Sequence, residues 1–262
     1  EQEGLKAVGF EKDLLTVKFH EALCTAPHTE WIGTEGVIEE FRSVKTPEEI
    51  EKLKVACDIA SRAFERIIKD IRVGVTEKEL ASRLSHYMVM EGSDTKPYGN
   101  ILISGARTSL LHGIPSSKAV EYGDFVLMDY GCQYKGYLSD MTRTVVVGKA
   151  SAKQREVYEL EQKMVAACED QMKAGNSGRM VYEASTAVIQ DTEYFPYHYT
   201  GIGHGIGLFV HEIPFMGPKH ETPFKVNQVI TVEPGIYIPG WGGVRIEDQV
   251  LIQENGCVNL VS

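Results

Sequence analysis

Two pairs of acidic residues follow apolar, strand-like segments, and each pair brackets a short turn. Asp129 ends the segment VLMD and Asp140 lies beyond the turn QYKG, while Glu233 ends ITVE and Glu247 lies beyond PGWGG. A simple hairpin register centred on each turn sets the two acids of a pair opposite each other, about 5 Å apart, where like charges repel. Converging carboxylates are typical ligands of hard divalent cations, and bridging carboxylates hold pairs of such ions. The spacing therefore predicts a metal centre.

The glycine-rich segment GIGHGIGLFVHE, at 201–212, adds histidines to these acids. Glycine permits other atoms to approach the main chain closely, so the segment predicts a crowded place. Because imidazole binds ions such as manganese, cobalt and zinc, His204 is the expected nitrogen ligand. His211 lacks the partner of an HExxH zinc motif. His112, in LLHGIP, lies between an apolar stretch and a tight turn. The remaining histidines are expected to be structural or exposed: His20, His28, His86, His198 and His220.

Strand alternation places Arg245 on the same face as Glu247, with Asp248 on the opposite face. Arg245 is therefore a candidate to orient a carboxylate or a substrate. Other catalytic patterns are missing from the sequence: GxGxxG after a strand, GxSxG, GxxxxGK[ST] and a cysteine in a nucleophile context.

The elements that hold these residues begin with two helices. Residues 47–71 carry apolar residues at the spacing of an amphipathic helix, with Thr46, Pro47 and Glu49 as its N-terminal cap and capping box. A second box, Thr76–Glu79, starts another helix. The strand-like runs NILIS and DFVLMDYG follow, and a hairpin leads into TRTVVVG.

The same order of elements begins again at Ala152. A helix with apolar positions at 157, 160, 164, 167 and 171 or 172 precedes a second helix around 179–190, and QVITVEPG and GVRIEDQVLI follow as strands. Glu233 lies 81 residues after Ala152, and Asp129 lies 82 residues after Pro47. The order and spacing predict an α+β fold made of two duplicated halves.

Composition narrows the class of protein further. A hydrophobic share of 43% in 262 residues suffices for a large core, and a net charge of −10 disfavours nucleic acid and anionic membranes as partners. No apolar run approaches the roughly 20 residues of a membrane span. Five scattered cysteines without CxxC spacing predict unpaired thiols in a reducing, cytoplasmic compartment.

Residues 1–42 are expected to be the tail of an N-terminal domain plus a linker, and residues 43–262 are expected to be the catalytic domain. The chain begins without methionine, which suggests an upstream portion.

Four motifs together resemble the pita-bread metallopeptidases, specifically the proline-directed branch of Xaa-Pro dipeptidases and Xaa-Pro aminopeptidases. They are LMDYGCQYKGYLSDMTRT, GIGHGIGLFVHEIP, ITVEPGIY and GVRIEDQ, and the resemblance covers roughly residues 40–256. AVGFEKDLLT resembles the end of the smaller N-terminal domain of these enzymes. The resemblance implies a pita-bread fold with pseudo-twofold α/β halves, two divalent ions, expected to be manganese with cobalt, zinc or iron as alternatives, and a homodimer.

The resemblance also assigns roles residue by residue. It implies that the metal ligands are Asp129, Asp140, His204, Glu233 and Glu247. Asp140 and Glu247 would bridge the ions, Asp129 would chelate one of them, and His204 with Glu233 would bind the other. His112 and His211 match two histidines that contact the substrate and stabilise the tetrahedral oxyanion. Glu233 would also carry a proton to the leaving nitrogen, and Arg245 matches the arginine before the last glutamate.

The implied activity is hydrolysis of the Xaa-Pro bond at a peptide N-terminus by activated water, without a covalent intermediate. Xaa-Pro dipeptidase (prolidase) is favoured because Arg245 could pair with the free carboxylate of a C-terminal proline. Xaa-Pro aminopeptidase is the first alternative. Methionine aminopeptidase, which shares the fold and ligand types, and a metal-free binding module are further alternatives. Creatinase-like hydrolysis without metal is disfavoured by the full ligand set.

Overall fold

A computed structural model describes residues 6–25, 29–94 and 100–261, and the chain divides into two compact units, Glu1–Arg42 and Ser43–Ser262. The expectation for His28 lies outside the described residues. In the smaller unit, strands β1 (Ala7–Glu11) and β2 (Glu30–Thr34) pair in parallel, and Thr16 caps helix α1 (Val17–Leu23). Helix α2 (Val37–Ser43) extends to the boundary between the units.

Two helix pairs form in the larger unit, each where the sequence predicts one. Helices α3 (Pro47–Ile67) and α4 (Glu77–Glu91) both begin with the expected capping box. Helix α3 ends at Ile67, although its apolar pattern continues to Ile71, which packs against the same core from beyond the helix. Helices α5 (Ala152–Glu169) and α6 (Gly178–Ile189) form the second pair, and Ser151 with Gln154 gives α5 a capping box of its own.

The first half contains an antiparallel sheet in the order β3-β4-β7. Its strands are β3 (Ile101–Ser104), β4 (Phe125–Tyr130) and β7 (Met141–Val146). The short strands β5 (Gln133–Tyr134) and β6 (Tyr137–Leu138) form the tip of the hairpin between β4 and β7. Asp129 and Asp140 lie at the base of this tip.

The second half contains a sheet in the order β14-β13-β10-β8-β9 and the separate hairpin β11-β12. These strands are β8 (Gly203–Gly205), β9 (Glu212–Met216), β10 (Val229–Val232), β11 (Gly235–Ile238), β12 (Gly242–Arg245), β13 (Asp248–Ile252) and β14 (Cys257–Asn259). GVRIEDQVLI is thus divided between β12 and β13, with Glu247 at the break. At this break the Glu247 amide donates to the Thr142 carbonyl at 3.1 Å, which joins the two halves.

The expected register of the first hairpin is wrong by two residues. Asp129 pairs with Thr142, not with Asp140. The reason is the turn, in which Lys135 and Gly136 have φ angles of 47° and 85°. Two successive positive φ values are typical of the two-residue type I′ turn that closes tight hairpins. The centre of the hairpin therefore lies one residue later than the symmetric reading of QYKG places it.

The expected register of the second hairpin is confirmed. On one side of the acids Val232 pairs with Asp248, and on the other side Gly235 pairs with Arg245. Both pairs belong to a single register, which sets Glu233 opposite Glu247.

Buried apolar clusters support each half. One contains residues of α3, α4 and the first sheet, and others contain residues of α5, α6 and the strands of the second half. All five cysteines are free thiols, with Cys57, Cys132 and Cys168 buried. Among the described residues, no helix is both long and apolar enough to cross a membrane.

Candidate metal centre

Three of the predicted ligands form a compact, buried cluster between the two halves. One ligand atom each from Asp140, His204 and Glu247 lies within 4.8 Å of the others. The exposed fractions of these residues are 5%, 7% and 1%. Asp140 comes from the first half and the other two from the second, so the cluster forms only when the halves pack together.

Glu233 adjoins this cluster through His204. The Nε2 atom of His204 lies 3.2 Å from Oε1 of Glu233 and 3.9 Å from Oδ2 of Asp140. Thr231 holds both His204 and Glu233 in position. Its hydroxyl accepts a hydrogen bond from the His204 amide at 3.1 Å and donates one to Glu233 at 3.1 Å.

The orientation of the His204 ring suits metal binding. Its Nδ1 atom lies 3.0 Å from the carbonyl oxygen of Gly205, an acceptor that requires a proton on Nδ1. In a neutral imidazole this leaves the lone pair on Nε2, which faces the carboxylates. A backbone carbonyl on the other ring nitrogen is a common way to fix the tautomer of a metal-ligating histidine.

Asp129 is held at the edge of the cluster by Arg245. The guanidinium donates to Oδ2 of Asp129 through Nη2, to the Thr142 hydroxyl through Nε at 3.0 Å, and to the Tyr237 hydroxyl through Nη1 at 2.6 Å. Arg245 is 2% exposed. This geometry supports orientation of a carboxylate, one of the two expected roles. It argues against pairing with a substrate carboxylate, because all three nitrogens are engaged in the interior.

The acids raise one another's affinity for positive charge. Burial raises the pKa of Glu247 well above its ordinary value, and the negative charge of Asp140 adds to this effect. Burial likewise raises the pKa of Asp129, although the Arg245 charge opposes it. For His204, burial lowers the pKa, but the hydrogen bond and charge of Glu233 together with the charge of Asp140 outweigh burial and bring the pKa to about 9. Burial also raises the pKa of Glu233, yet His204, Arg245 and Thr231 together outweigh burial and leave the pKa lowered.

The donor set fits a pair of divalent cations. Oε1 of Glu247 is buried and accepts no hydrogen bond within the described part of the chain, whereas Oε2 accepts one from the Thr142 hydroxyl at 2.7 Å. A buried carboxylate oxygen of this kind is costly unless a cation pairs with it. Four carboxylates and one imidazole nitrogen are ligands that manganese, cobalt, zinc and iron accept.

The two non-ligand histidines lie at the open side of the centre. The ring of His211 is 4.4 Å from the ring of His204, centroid to centroid, in an edge-on arrangement. Partial burial and the nearby His204 lower the pKa of His211. His112 is exposed and lies close enough to affect the pKa values of Asp129 and His211.

Several residues that hold the ligands were missed in the sequence. Three of them lie two positions from a predicted ligand: Thr231, Thr142 and Gln249, the last of which accepts a hydrogen bond from the Asp140 amide at 3.0 Å. Residues two apart in a strand share a face, so strand parity could have identified them. Tyr237, which accepts a hydrogen bond from Arg245, carries no such signal of position.

Comparisons with known proteins identify the family of this chain. The sequence profile of Metallopeptidase family M24 matches residues 51–254. The Xaa-Pro dipeptidase of Pyrococcus furiosus is 42% identical over 86% of this chain, and the aligned part is 64% of that relative, so the chain spans less than two thirds of its length.

Solved structures resemble the chain closely. An Xaa-Pro dipeptidase from Bacillus anthracis superimposes with a TM-score of 0.95 at 40% identity, covering 98% of this chain and 72% of its own. An X-Pro aminopeptidase from Thermotoga maritima superimposes with a TM-score of 0.95 at 35% identity, covering 100% of this chain and 74% of its own. The expected pita-bread fold is therefore confirmed.

Proposed function

Because this chain belongs to metallopeptidase family M24, we propose that it is a dinuclear metal-dependent exopeptidase that hydrolyses the Xaa-Pro bond at a peptide N-terminus, as an Xaa-Pro dipeptidase. The observation that carries the proposal is the buried cluster of Asp140, His204 and Glu247, with Glu233 and Asp129 beside it. The names of the relatives from P. furiosus and B. anthracis support the substrate class.

The five predicted ligands would hold the two ions in different ways. Of the four predicted acidic ligands, Asp140 and Glu247 are the most buried and would bridge, while Asp129 and Glu233, with side chains 18% and 20% exposed, would each serve one ion. When bound, paired divalent cations supply Lewis acidity towards a water molecule and a carbonyl oxygen.

The surrounding residues would handle the substrate and its protons. Glu233 lies at the accessible edge and would pass a proton to the leaving nitrogen of proline, which carries no hydrogen in the peptide. His211 and His112 would donate to the oxyanion that develops at the scissile carbonyl. Arg245 would keep Asp129 in its orientation without touching the substrate.

Xaa-Pro aminopeptidase is the second candidate, and a specific observation favours it. The T. maritima X-Pro aminopeptidase superimposes as well as the B. anthracis dipeptidase does. The engaged guanidinium of Arg245 also removes the group that sequence reasoning assigned to the free carboxylate of a dipeptide. The choice between the two activities therefore depends on a measurement of substrate length.

The experiment compares kcat/KM for Ala-Pro, Ala-Pro-Ala and Met-Ala-Ala with manganese-reconstituted protein. A dipeptidase cleaves Ala-Pro with the highest kcat/KM. Equal or faster cleavage of Ala-Pro-Ala assigns the activity to Xaa-Pro aminopeptidase. Rapid release of methionine without cleavage before proline contradicts both assignments and indicates a methionine aminopeptidase.

The finer properties expected from the resemblance are part of the same proposal. We propose manganese as the native ion, a homodimer, a cytoplasmic location, and residues 1–42 as the end of a smaller N-terminal domain plus its linker. Light scattering on the purified chain tests the dimer, and elemental analysis of protein purified without added metal tests the ion.

A further inference from the structure

The loop between β8 and β9, residues 206–211, folds over the carboxylate of Glu212. The backbone amides of Leu208 and Phe209 donate to Oε1 of Glu212 at 3.0 and 3.1 Å. Glu212 is 8% exposed. Hydrogen bonds from amides to a buried carboxylate are strong because the acceptor is charged. This oxygen therefore anchors the part of the loop that leads directly to His211.

The anchor is itself fixed from a distant part of the chain. Nζ of Lys45 donates to Oε2 of Glu212 at 3.1 Å and to the Ser43 carbonyl at 3.2 Å. The amide of Lys45 donates to the Asn227 carbonyl at 2.9 Å, and Lys45 is 3% exposed. A charge this deeply buried is tolerated when it is paired. Lys45 thus neutralises the carboxylate and sets its position.

Gly207 lets the loop lie directly on this ion pair. A Cβ atom at Gly207 would be 2.8 Å from Oε2 of Glu212 and 3.1 Å from Cε of Lys45. The Gly207 carbonyl accepts a hydrogen bond from the Leu138 amide at 2.9 Å, so the start of the loop is also fixed. A larger residue here would force either the loop or the ion pair to shift.

His211 depends on this loop for its position. His211 is exposed, and its ring makes no hydrogen bond to any residue that the structure describes. The ring packs edge-on against His204, and the backbone of the loop brings it there.

We propose that Glu212, neutralised by Lys45, is a positioning residue that holds the 206–211 loop so that His211 reaches the substrate. This inference rests on the proposed function, in which His211 stabilises the oxyanion. Glu212 acts through the loop and does not touch the reacting atoms.

The test compares two double variants that both lack the buried charges. Lys45→Met with Glu212→Gln keeps a side-chain oxygen for the loop amides, whereas Lys45→Met with Glu212→Ala removes it. Because a small misplacement of a catalytic group is costly, the alanine variant should show kcat about 10- to 100-fold below the glutamine variant. KM and bound manganese should be equal in the two. Equal kcat values overturn the proposal.

A second comparison separates positioning from a general structural role. The same two variants are made on the His211→Ala background, where the loop no longer has a catalytic group to position. The difference in kcat between them should disappear, because the two effects act through one residue. On the His112→Ala background the difference should persist. A difference of the same size on both backgrounds overturns the proposal.

Two further measurements keep the inference testable if activity or folding fails. Hydrogen exchange at the Leu208 and Phe209 amides should be faster in the alanine variant than in the glutamine variant, and equal rates overturn the anchor. Absence of Xaa-Pro cleavage by the wild type would refute the proposed function. The difference in exchange rate would still show whether Glu212 anchors the loop. Should the alanine variant not fold, Gly207→Ala displaces the loop with both charges present. It should lower kcat on the wild-type background but not on the His211→Ala background.

Discussion

Arg245 donates a hydrogen bond from Nη2 to Oδ2 of Asp129 across the interface between the two halves of the site. Thr142 and Tyr237 hold the other nitrogens of the same guanidinium. The position of a predicted metal ligand in the first half therefore depends on a strand of the second half. This relationship supports the proposal that Arg245 orients Asp129.

Arg245→Lys should lower metal affinity or kcat by about 10- to 100-fold, as is typical when a residue that orients a ligand is changed. Lysine cannot reproduce the planar set of donors. The ratio of kcat/KM for Ala-Pro to that for Ala-Pro-Ala should not change, since the guanidinium is buried and engaged by Asp129, Thr142 and Tyr237. Arg179→Lys, at an exposed ion pair with Glu183, is the control. A selective loss of dipeptide cleavage would contradict this role.

Asp140→Asn and Glu247→Gln should each lose bound metal together with activity. Both acids are buried in the cluster and are proposed to bridge the ions. Elemental analysis after reconstitution with excess manganese and desalting should give about two ions per wild-type chain and fewer in each variant. The exposed Glu254→Gln is the matched control. Full metal content in both variants would refute the ligand assignment.

His204→Ala and His211→Ala should separate metal binding from turnover. His204→Ala should empty the site in part, because its Nε2 faces the carboxylates. His211→Ala should retain the metal and lose about 10²–10³-fold in kcat, the cost of one oxyanion donor. Metal content and kcat are measured on the same samples. The opposite result, with metal lost only in His211→Ala, would reverse the two assignments.

Glu161 should make folding stability fall as the pH rises. It is 0% exposed in α5, and burial raises its pKa from 4.5 to about 8. Between these values the folded state keeps a proton that the unfolded state releases. The free energy of unfolding therefore falls from about pH 4.5 upward and levels off above about pH 8. The total decrease in the free energy of unfolding is at most about 5 kcal/mol.

The variant Glu161→Gln, which carries no charge at any pH, should therefore raise the melting temperature more at pH 8 than at pH 5. Thermal unfolding at both pH values measures this, with the exposed Glu159→Gln on the same helix as control. An equal change in melting temperature at both pH values would show that Glu161 stays protonated, or ionised, throughout.

Local signals in the sequence predicted much of the fold. The capping boxes at Thr46 and Thr76 started both helices where expected, because a cap satisfies the free amides of the first turn. The register of the second hairpin followed from symmetry about Gly240. The predicted register of the first hairpin was wrong because the type I′ turn is centred on Lys135 and Gly136, and the symmetry of the sequence does not indicate that position.

The buried face of α5 was predicted only in part. The expected apolar positions included Leu160 and Ala167, which are only partly buried, whereas Glu161 and Cys168 are fully buried. A pattern built on apolar residues does not detect a glutamate on the buried face of a helix.

Contacts between distant residues could not be predicted from the sequence for another reason. Lys45 and Glu212 are 167 positions apart, and nothing local in either segment indicates the partner.

The measurement that tests the account most directly is product analysis of Ala-Pro incubated with the purified protein. Manganese-reconstituted protein should release free proline, the chelator-treated protein should not, and readdition of manganese should restore release. Ala-Ala, which lacks the imide bond, should be cleaved more slowly under the same conditions. A folded protein that binds manganese at Asp140 and Glu247 yet releases no proline would contradict the proposed activity.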